Sequence, residues 1–198
     1  LPEIDDTQVP VLEYREHNYV DLCRYTRFAV KCRLNGSHHL IREKHGGHIS
    51  YVPGWYVHTF DTMVSREKYF ATHPEYFSLV DGQRMSEPAQ LCLTNPEVLA
   101  LCIESVRQAL REHPEAKIIS VSQNDGYYPC ECENCRAVNE EEGSVAGSVL
   151  RFVNAVAEAI EPEFPDVIVD TLAYVFSRPA PKYVRPRKNV CVRLCSIE

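Results

Sequence analysis

Lys117 to Cys135, K-I-I-S-V-S-Q-N-D-G-Y-Y-P-C-E-C-E-N-C, constrains this chain more than any other stretch. It opens as a strand: Ile118, Ile119 and Val121 are β-branched or flanked by β-branched neighbours, and Pro114 and Gly126 bound the run. Four polar residues follow, Ser122, Gln123, Asn124 and Asp125, before Gly126 breaks the strand. Cys130, Cys132 and Cys135 come next at C-x-C-x-x-C spacing. A strand that delivers an amide and a carboxylate and then enters a ligand-rich loop is the way parallel β/α scaffolds present their chemistry.

The pattern from residue 90 supports such a scaffold. Gln90–Leu93 reads as a short strand, and Thr94-Asn95-Pro96-Glu97 as a helix start with a capping side chain, proline at the first helical position and an acid in the first turn. Leu99, Cys102, Ile103, Val106 and Leu110 then form one apolar helical face. After the central strand, Ser144 or Ser148 opens a helix with Val149, Phe152, Val153, Val156 and Ile160 on its buried side, ended by Pro162 and Pro165. Val167–Tyr174 and Val190–Leu194 are two further strands. Pro179, Pro181 and Pro186 leave no room for a crossover helix between them.

Upstream the signals are weaker. Residues 1–10, with Pro2 and Pro10, form a lead-in segment; Val11–Tyr14 is a short strand and Tyr19–Leu34 is taken as a helix. Residues 36–58 are a long Gly- and His-rich loop, in which the spacing of His38, His39, His45 and His48 matches no ligand motif. Gly54–Phe60 is a strand carrying Trp55, Ser65 caps a short helix, and Asp81-Gly82 marks a turn. The expectation is an α/β fold: a TIM-type (β/α) barrel over residues 11–198. Six strands in 198 residues make it an incomplete portion of a larger barrel.

Composition narrows the function. A net charge of −7 without a basic stripe argues against nucleic acid, since the Arg/Lys excess at Lys182–Lys188 is broken by proline. No apolar run is long enough for a membrane span. Nine cysteines are too unevenly spaced for a disulfide framework. Cys23, Cys32, Cys102, Cys191 and Cys195 lie in apolar segments and read as small buried hydrophobes. Cys130, Cys132 and Cys135 could hold zinc with Cys92 as the fourth ligand, a histidine of the 38–58 loop being the next choice; a disulfide or reduced thiols are the alternatives.

At the strand end, Asn124-Asp125 could serve as an amide and general acid for a sugar, or could be simple turn chemistry. A second carboxylate would come from Asp170, Glu198 or strands outside the chain. Arg15, Trp55, His58 and Tyr174 sit at or near strand ends, where a carbohydrate could contact them.

A series of motifs also carries a resemblance: H-T-F (58–60), K-Y-F-A-T-H-P-E-Y-F-S-L (68–79), D-G-Q-R (81–84), Q-L-C-L-T-N-P-E-V (90–98), S-V-S-Q-N-D-G (120–126), C-x-C-x-x-C (130–135), L-x-F-V-N-x-V-A (150–157), L-A-Y (172–174) and N-V-x-V-R-L-C (189–195). Together they resemble a bacterial domain family of unknown function, common in Bacteroidetes and similar in its barrel to α-glucuronidases and β-hexosaminidases. The resemblance implies a glycoside hydrolase acting on complex glycans in the periplasm or at the cell surface. It places Asn124-Asp125 where such barrels carry an Asn-Glu pair, with Asp125 as general acid. A non-catalytic carbohydrate-binding barrel with a structural cysteine loop is the second expectation.

Overall fold

A computed structural model describes residues 11–17, 19–36, 41–87 and 90–195. The lead-in 1–10, His38, His39 and Glu198 lie outside the described residues. The chain divides into two units, Leu1–Ser50 and Tyr51–Glu198.

In the first unit the helical stripe of Tyr19–Leu34 forms two short helices, α1 (Val20–Arg24) and α2 (Thr26–Lys31). The break is at Tyr25, whose φ of −108° and ψ of 82° leave the helical region. Ala29, Leu34 and Ile41 make a small core of their own. Val11–Tyr14 is not a strand.

The second unit holds the sheet. After α3 (Phe60–Met63) and α4 (Arg66–Tyr69) comes a tight hairpin, β1 (Leu79–Val80) against β2 (Gln83–Arg84). Its turn residues Asp81 and Gly82 both have positive φ, 48° and 77°, the twist that two-residue hairpins favour. Helix α5 (Pro96–Glu112) starts as its sequence dictates: Asn95 accepts the backbone N–H groups of Glu97 and Val98. Next come β3 (Ile118–Ser120), α6 (Glu133–Glu142), α7 (Ala146–Ile160), β4 (Ile168–Ala173) and β5 (Val190–Leu194). Strands β3, β4 and β5 pair in that order, all parallel. Ile119, Val121, Val169 and Val190 pack with the apolar faces of α5 and α7 in the main core. Cross-strand partners share a face, so Ser120, Asp170 and Cys191 lie together on the other side, as do Leu172 and Arg193.

This is not a TIM barrel. The described residues form five strands, three in an open parallel sheet and two in the separate hairpin, and the sheet does not close. Two of the expected strands lack a ladder. Residues 51–60 run beside β3 through a bridge at Tyr51 and Ile118 and single bonds such as Ser120 N–H to Trp55 O (3.0 Å) and Thr59 N–H to Ser122 O (3.1 Å). Pro53 has no N–H to give, and positive φ at Gly54 and His58 turns the chain away. Gln90–Leu93 makes one bridge, Leu91 to Phe77.

The link from β4 to β5 has no crossover helix, in keeping with its prolines. Polar side chains fix it to α6 and α7 instead. The Glu142 carboxylate, fully buried, accepts Tyr183 N–H (2.8 Å) and Val184 N–H (3.0 Å) and pairs with Arg151. Asn154 bonds Arg185 O (2.8 Å) and Arg187 N–H (3.1 Å), and Asn189 donates to Ala157 O (3.1 Å). Of the cysteines expected in the interior, Cys102 is buried; Cys23, Cys32 and Cys195 are half-buried and Cys191, on edge strand β5, is exposed.

Candidate metal centre and ligand edge

The loop after β3 returns to the Gln90–Cys92 segment, and Cys132 sits at the start of α6 with Cys135 in its first turn. All four Sγ atoms of Cys92, Cys130, Cys132 and Cys135 lie within 4.8 Å of one another. Cys92 Sγ is 3.6 Å from Cys132 Sγ and 3.9 Å from Cys135 Sγ. Zinc–sulfur bonds of about 2.3 Å in a tetrahedron put the sulfurs about 3.75 Å apart, whereas a disulfide needs about 2.05 Å. The set therefore fits a metal and not a bridge, and all four cysteines are free.

The surroundings suit thiolates. Leu79 N–H points at Cys130 Sγ (3.4 Å), Arg84 Nη1 lies 3.9 Å from the same sulfur, and Thr94 Oγ1 is 3.2 Å from Cys135 Sγ. The thiols share protons unequally. Bonds from Cys130 and Cys135 hold the Cys92 thiol down, while the same contacts with Cys130 and Cys92 push Cys135 up. Cys130 is pushed up to about 11: the Cys135 bond lowers it, and Cys92 and burial outweigh that. Four such groups ionise together only around a cation.

The second feature is the carboxyl-terminal edge of the sheet, where ligands of open α/β sheets bind. Asp125 is exposed, and its Oδ1 accepts the Tyr174 hydroxyl at 3.0 Å; that bond raises the phenol's pKa. Asn124 Oδ1 accepts the backbone N–H of Asp61 (3.0 Å), a residue not singled out by sequence, whose own carboxylate accepts Arg66 N–H (3.1 Å). His58 Nδ1 is 2.9 Å from Gln123 O; a carbonyl only accepts, so Nδ1 donates. The His58 and Tyr174 ring centres are 5.7 Å apart. Ser177 Oγ donates to Gln123 Oε1 (2.5 Å), locking the two strand ends together. Tyr174 also lines a cleft with Tyr127, Val175, Phe176, Arg178 and Cys195.

Backbone strain collects at this edge. His58, Tyr128 and Val175 have φ of 56°, 62° and 50°. For a β-branched residue such as Val175 the left-handed region costs about 1–2 kcal/mol, and strain of this kind clusters at ligand sites.

The remaining sequence candidates fall elsewhere. Trp55 is buried in the main core. Arg15 belongs to the first unit, where its backbone pairs with Asn35. His48, in the same unit, bonds Ile41 O at 2.9 Å. Asp170 is buried and ion-paired with Arg193 at 2.5 Å; burial raises its pKa, and Arg193 opposes that. Arg193 in turn lies over the Tyr56 ring at 4.4 Å. Asp61, Ser177 and the side-chain role of Gln90 escape sequence reasoning, because a lone polar residue carries no spacing signal, and Thr94 is legible only as part of the α5 start.

Comparison with known proteins gives one result. The profile of the family described as Domain of unknown function (DUF4838) matches residues 1–198, and the chain belongs to that family. No curated protein and no solved structure matches it. Among the described residues no helix is long and apolar enough to cross a membrane.

Proposed function

We propose that this family member is a carbohydrate-binding domain whose ligand meets the sheet edge at Asp125, Tyr174 and Tyr127, and whose four cysteines hold a structural zinc. The observation that carries the reading is the exposed Asp125 carboxylate, fixed by the Tyr174 hydroxyl beside an aromatic cleft. Sugars ask for that pairing: hydrogen-bond acceptors for their hydroxyls, and flat apolar faces for their C–H surfaces. Four protein ligands leave no open coordination position, so the zinc would fold the loop and take no part in chemistry.

A second reading, glycoside hydrolysis with Asp125 as general acid, is favoured by the strained backbone at His58 and Val175. Both readings place the protein in the periplasm or at the cell surface.

Binding of an oligosaccharide panel by calorimetry, with turnover of aryl glycosides alongside, tests both. Asp125→Asn and Tyr174→Phe are each expected to weaken binding about tenfold. Unchanged affinity in both variants would remove the sugar from this edge. Turnover lost in Asp125→Asn would favour the hydrolase, and no turnover by the parent chain the binding domain.

A further inference from the structure

Gln90 and Cys92 are two residues apart in an extended segment, so their side chains leave the same face. The segment is fixed by Ser78 N–H to Gln90 O and Cys92 N–H to Tyr76 O, both 2.8 Å, while Leu91 points into the core. The Gln90 side chain, 4% exposed, grips the loop after β3. Its Oε1 accepts Asn124 N–H (2.9 Å), and its Nε2 donates to Asn124 O (2.9 Å) and more distantly to Tyr127 O (3.4 Å). The amide thus does for Asn124 what a neighbouring strand's backbone would do. On the same face, Cys92 meets the cysteines that end the loop.

Residues 124–130 are therefore held at both ends by one three-residue segment. Gln90 holds the start and the thiol cluster holds Cys130. Between the two holds lie Asp125, Tyr127 and Tyr128. Whatever orders one end leaves less freedom to be lost at the other.

We infer that Gln90 is the positioning residue of the ligand edge, and that through Gln90-Leu91-Cys92 zinc at the cysteines and ligand at the edge strengthen each other's binding. The zinc and the edge ligand are taken from the reading above; the hold of Gln90 on Asn124 stands without it. Thermodynamic linkage requires the factor to be the same in both directions, and couplings of this kind run to about tenfold. Gln90→Glu is the informative change, since it keeps shape and the Oε1 acceptor and replaces the N–H donors by a carboxylate oxygen that repels the Asn124 and Tyr127 carbonyls.

The test uses the full chain and zinc as its probe. Amide hydrogen exchange is followed at Asn124–Tyr127, with Val156 and Val169 as core controls, in zinc-loaded and chelated protein. Zinc affinity is measured by competition with a chromophoric chelator. Chelation of the parent chain is expected to speed exchange at Asn124–Tyr127 at least tenfold with the controls unchanged. Gln90→Glu is expected to do the same with zinc still bound, and to weaken zinc about tenfold. Asn124–Tyr127 exchange that ignores zinc removal overturns the coupling. Exchange there that is untouched in Gln90→Glu overturns the role of Gln90, and unchanged zinc affinity in a variant whose loop has loosened overturns the coupling through it. Neither readout needs a sugar, so failure of the oligosaccharide panel leaves them standing, and a panel that binds equally with and without zinc breaks only the linkage.

Discussion

Two loops leave the carboxyl end of the parallel sheet, and they are held by different chemistry. The loop after β3 runs from Ser122 to Cys132 and ends at the four-thiol cluster, which Cys130 and Cys132 form with Cys135 of α6 and with Cys92. The loop after β4 runs from Tyr174 to Asn189 and is tied to α6 and α7 by Glu142, Asn154 and Asn189. Neither has a ladder partner, so both must satisfy their backbone groups some other way. The second does so with permanent side chains. The first is held at Asn124 by Gln90 but at its far end by a thiol cluster that fits a metal, and is conditional in that sense. The conditional loop is the one that carries Asp125. The two touch through Tyr174–Asp125 and Ser177–Gln123, so the permanent loop supplies a fixed wall for the adjustable one.

The largest effect should come from the metal. One equivalent of zinc is expected per chain, and stripping it under reducing conditions should lower Tm by on the order of 10–20 °C, read by scanning calorimetry beside metal analysis. Protein that carries no metal and melts identically with and without chelator would make the first loop as permanent as the second.

Next comes Glu142→Gln, which deprives the Tyr183 and Val184 N–H groups of a charged acceptor and Arg151 of one of its two carboxylate partners, leaving Glu141. A fall of roughly 5–10 °C in Tm is expected, with zinc content unchanged. A variant that also loses zinc would show that the two loops are not independent.

The same residue gives a pH signature. Burial would raise the Glu142 pKa, but the N–H groups of Val184 and Tyr183 and the Arg151 guanidinium outweigh it and hold it below the usual carboxylate range. A folded pKa below the unfolded one contributes stability that is complete above the ordinary glutamate pKa and is lost as pH falls through the depressed value. Protection against exchange at Tyr183 and Val184, taken relative to the intrinsic rate at each pH, should therefore fall on acidification, and Glu142→Gln should flatten that limb. A profile unchanged in Glu142→Gln would place the acid sensitivity elsewhere.

Asn95→Ala, which removes the cap of α5, should cost about 1 kcal/mol by denaturant titration. Its side chain bonds only Glu97 and Val98 N–H, so altered sugar binding in this variant would mean that the edge effect reports general stability; zinc is no control here, because Asn95 N–H bonds Cys92 O (3.0 Å). The smallest stability change belongs to Tyr174→Phe, within about 0.5 kcal/mol because its hydroxyl is bonded at an exposed site. A larger loss would make the contact between the loops structural and weaken the case for a ligand there.

How much of this is legible in the chain depends on whether the signal is local. Asn95-Pro96-Glu97 announces α5, and the stripe Val149, Phe152, Val153, Val156 and Ile160 announces α7. β5 coincides with the run Val190–Leu194. The grouping of Cys92 with the C-x-C-x-x-C loop is also legible, since a fourth thiol on a neighbouring extended segment completes a tetrahedral set. Helix α6 is not, because Glu133–Glu142 is polar nearly throughout and buries only Cys135 and Glu142. The barrel expectation fails for a related reason. Alternation at Gly54–Phe60 or Gln90–Leu93 shows that a segment is extended, but not that another lies beside it in register.

The sequence by itself determined the helices with caps and stripes, the parallel order of the last strands and the thiol set, because each depends on residues close together or on strong donor chemistry. Only the tertiary structure decided that the sheet stays open, that Glu142 replaces a crossover helix, and that Gln90 holds Asn124 from 34 residues away. Those outcomes rest on single polar contacts between distant segments, and nothing in the residues near either partner foretells which groups will meet.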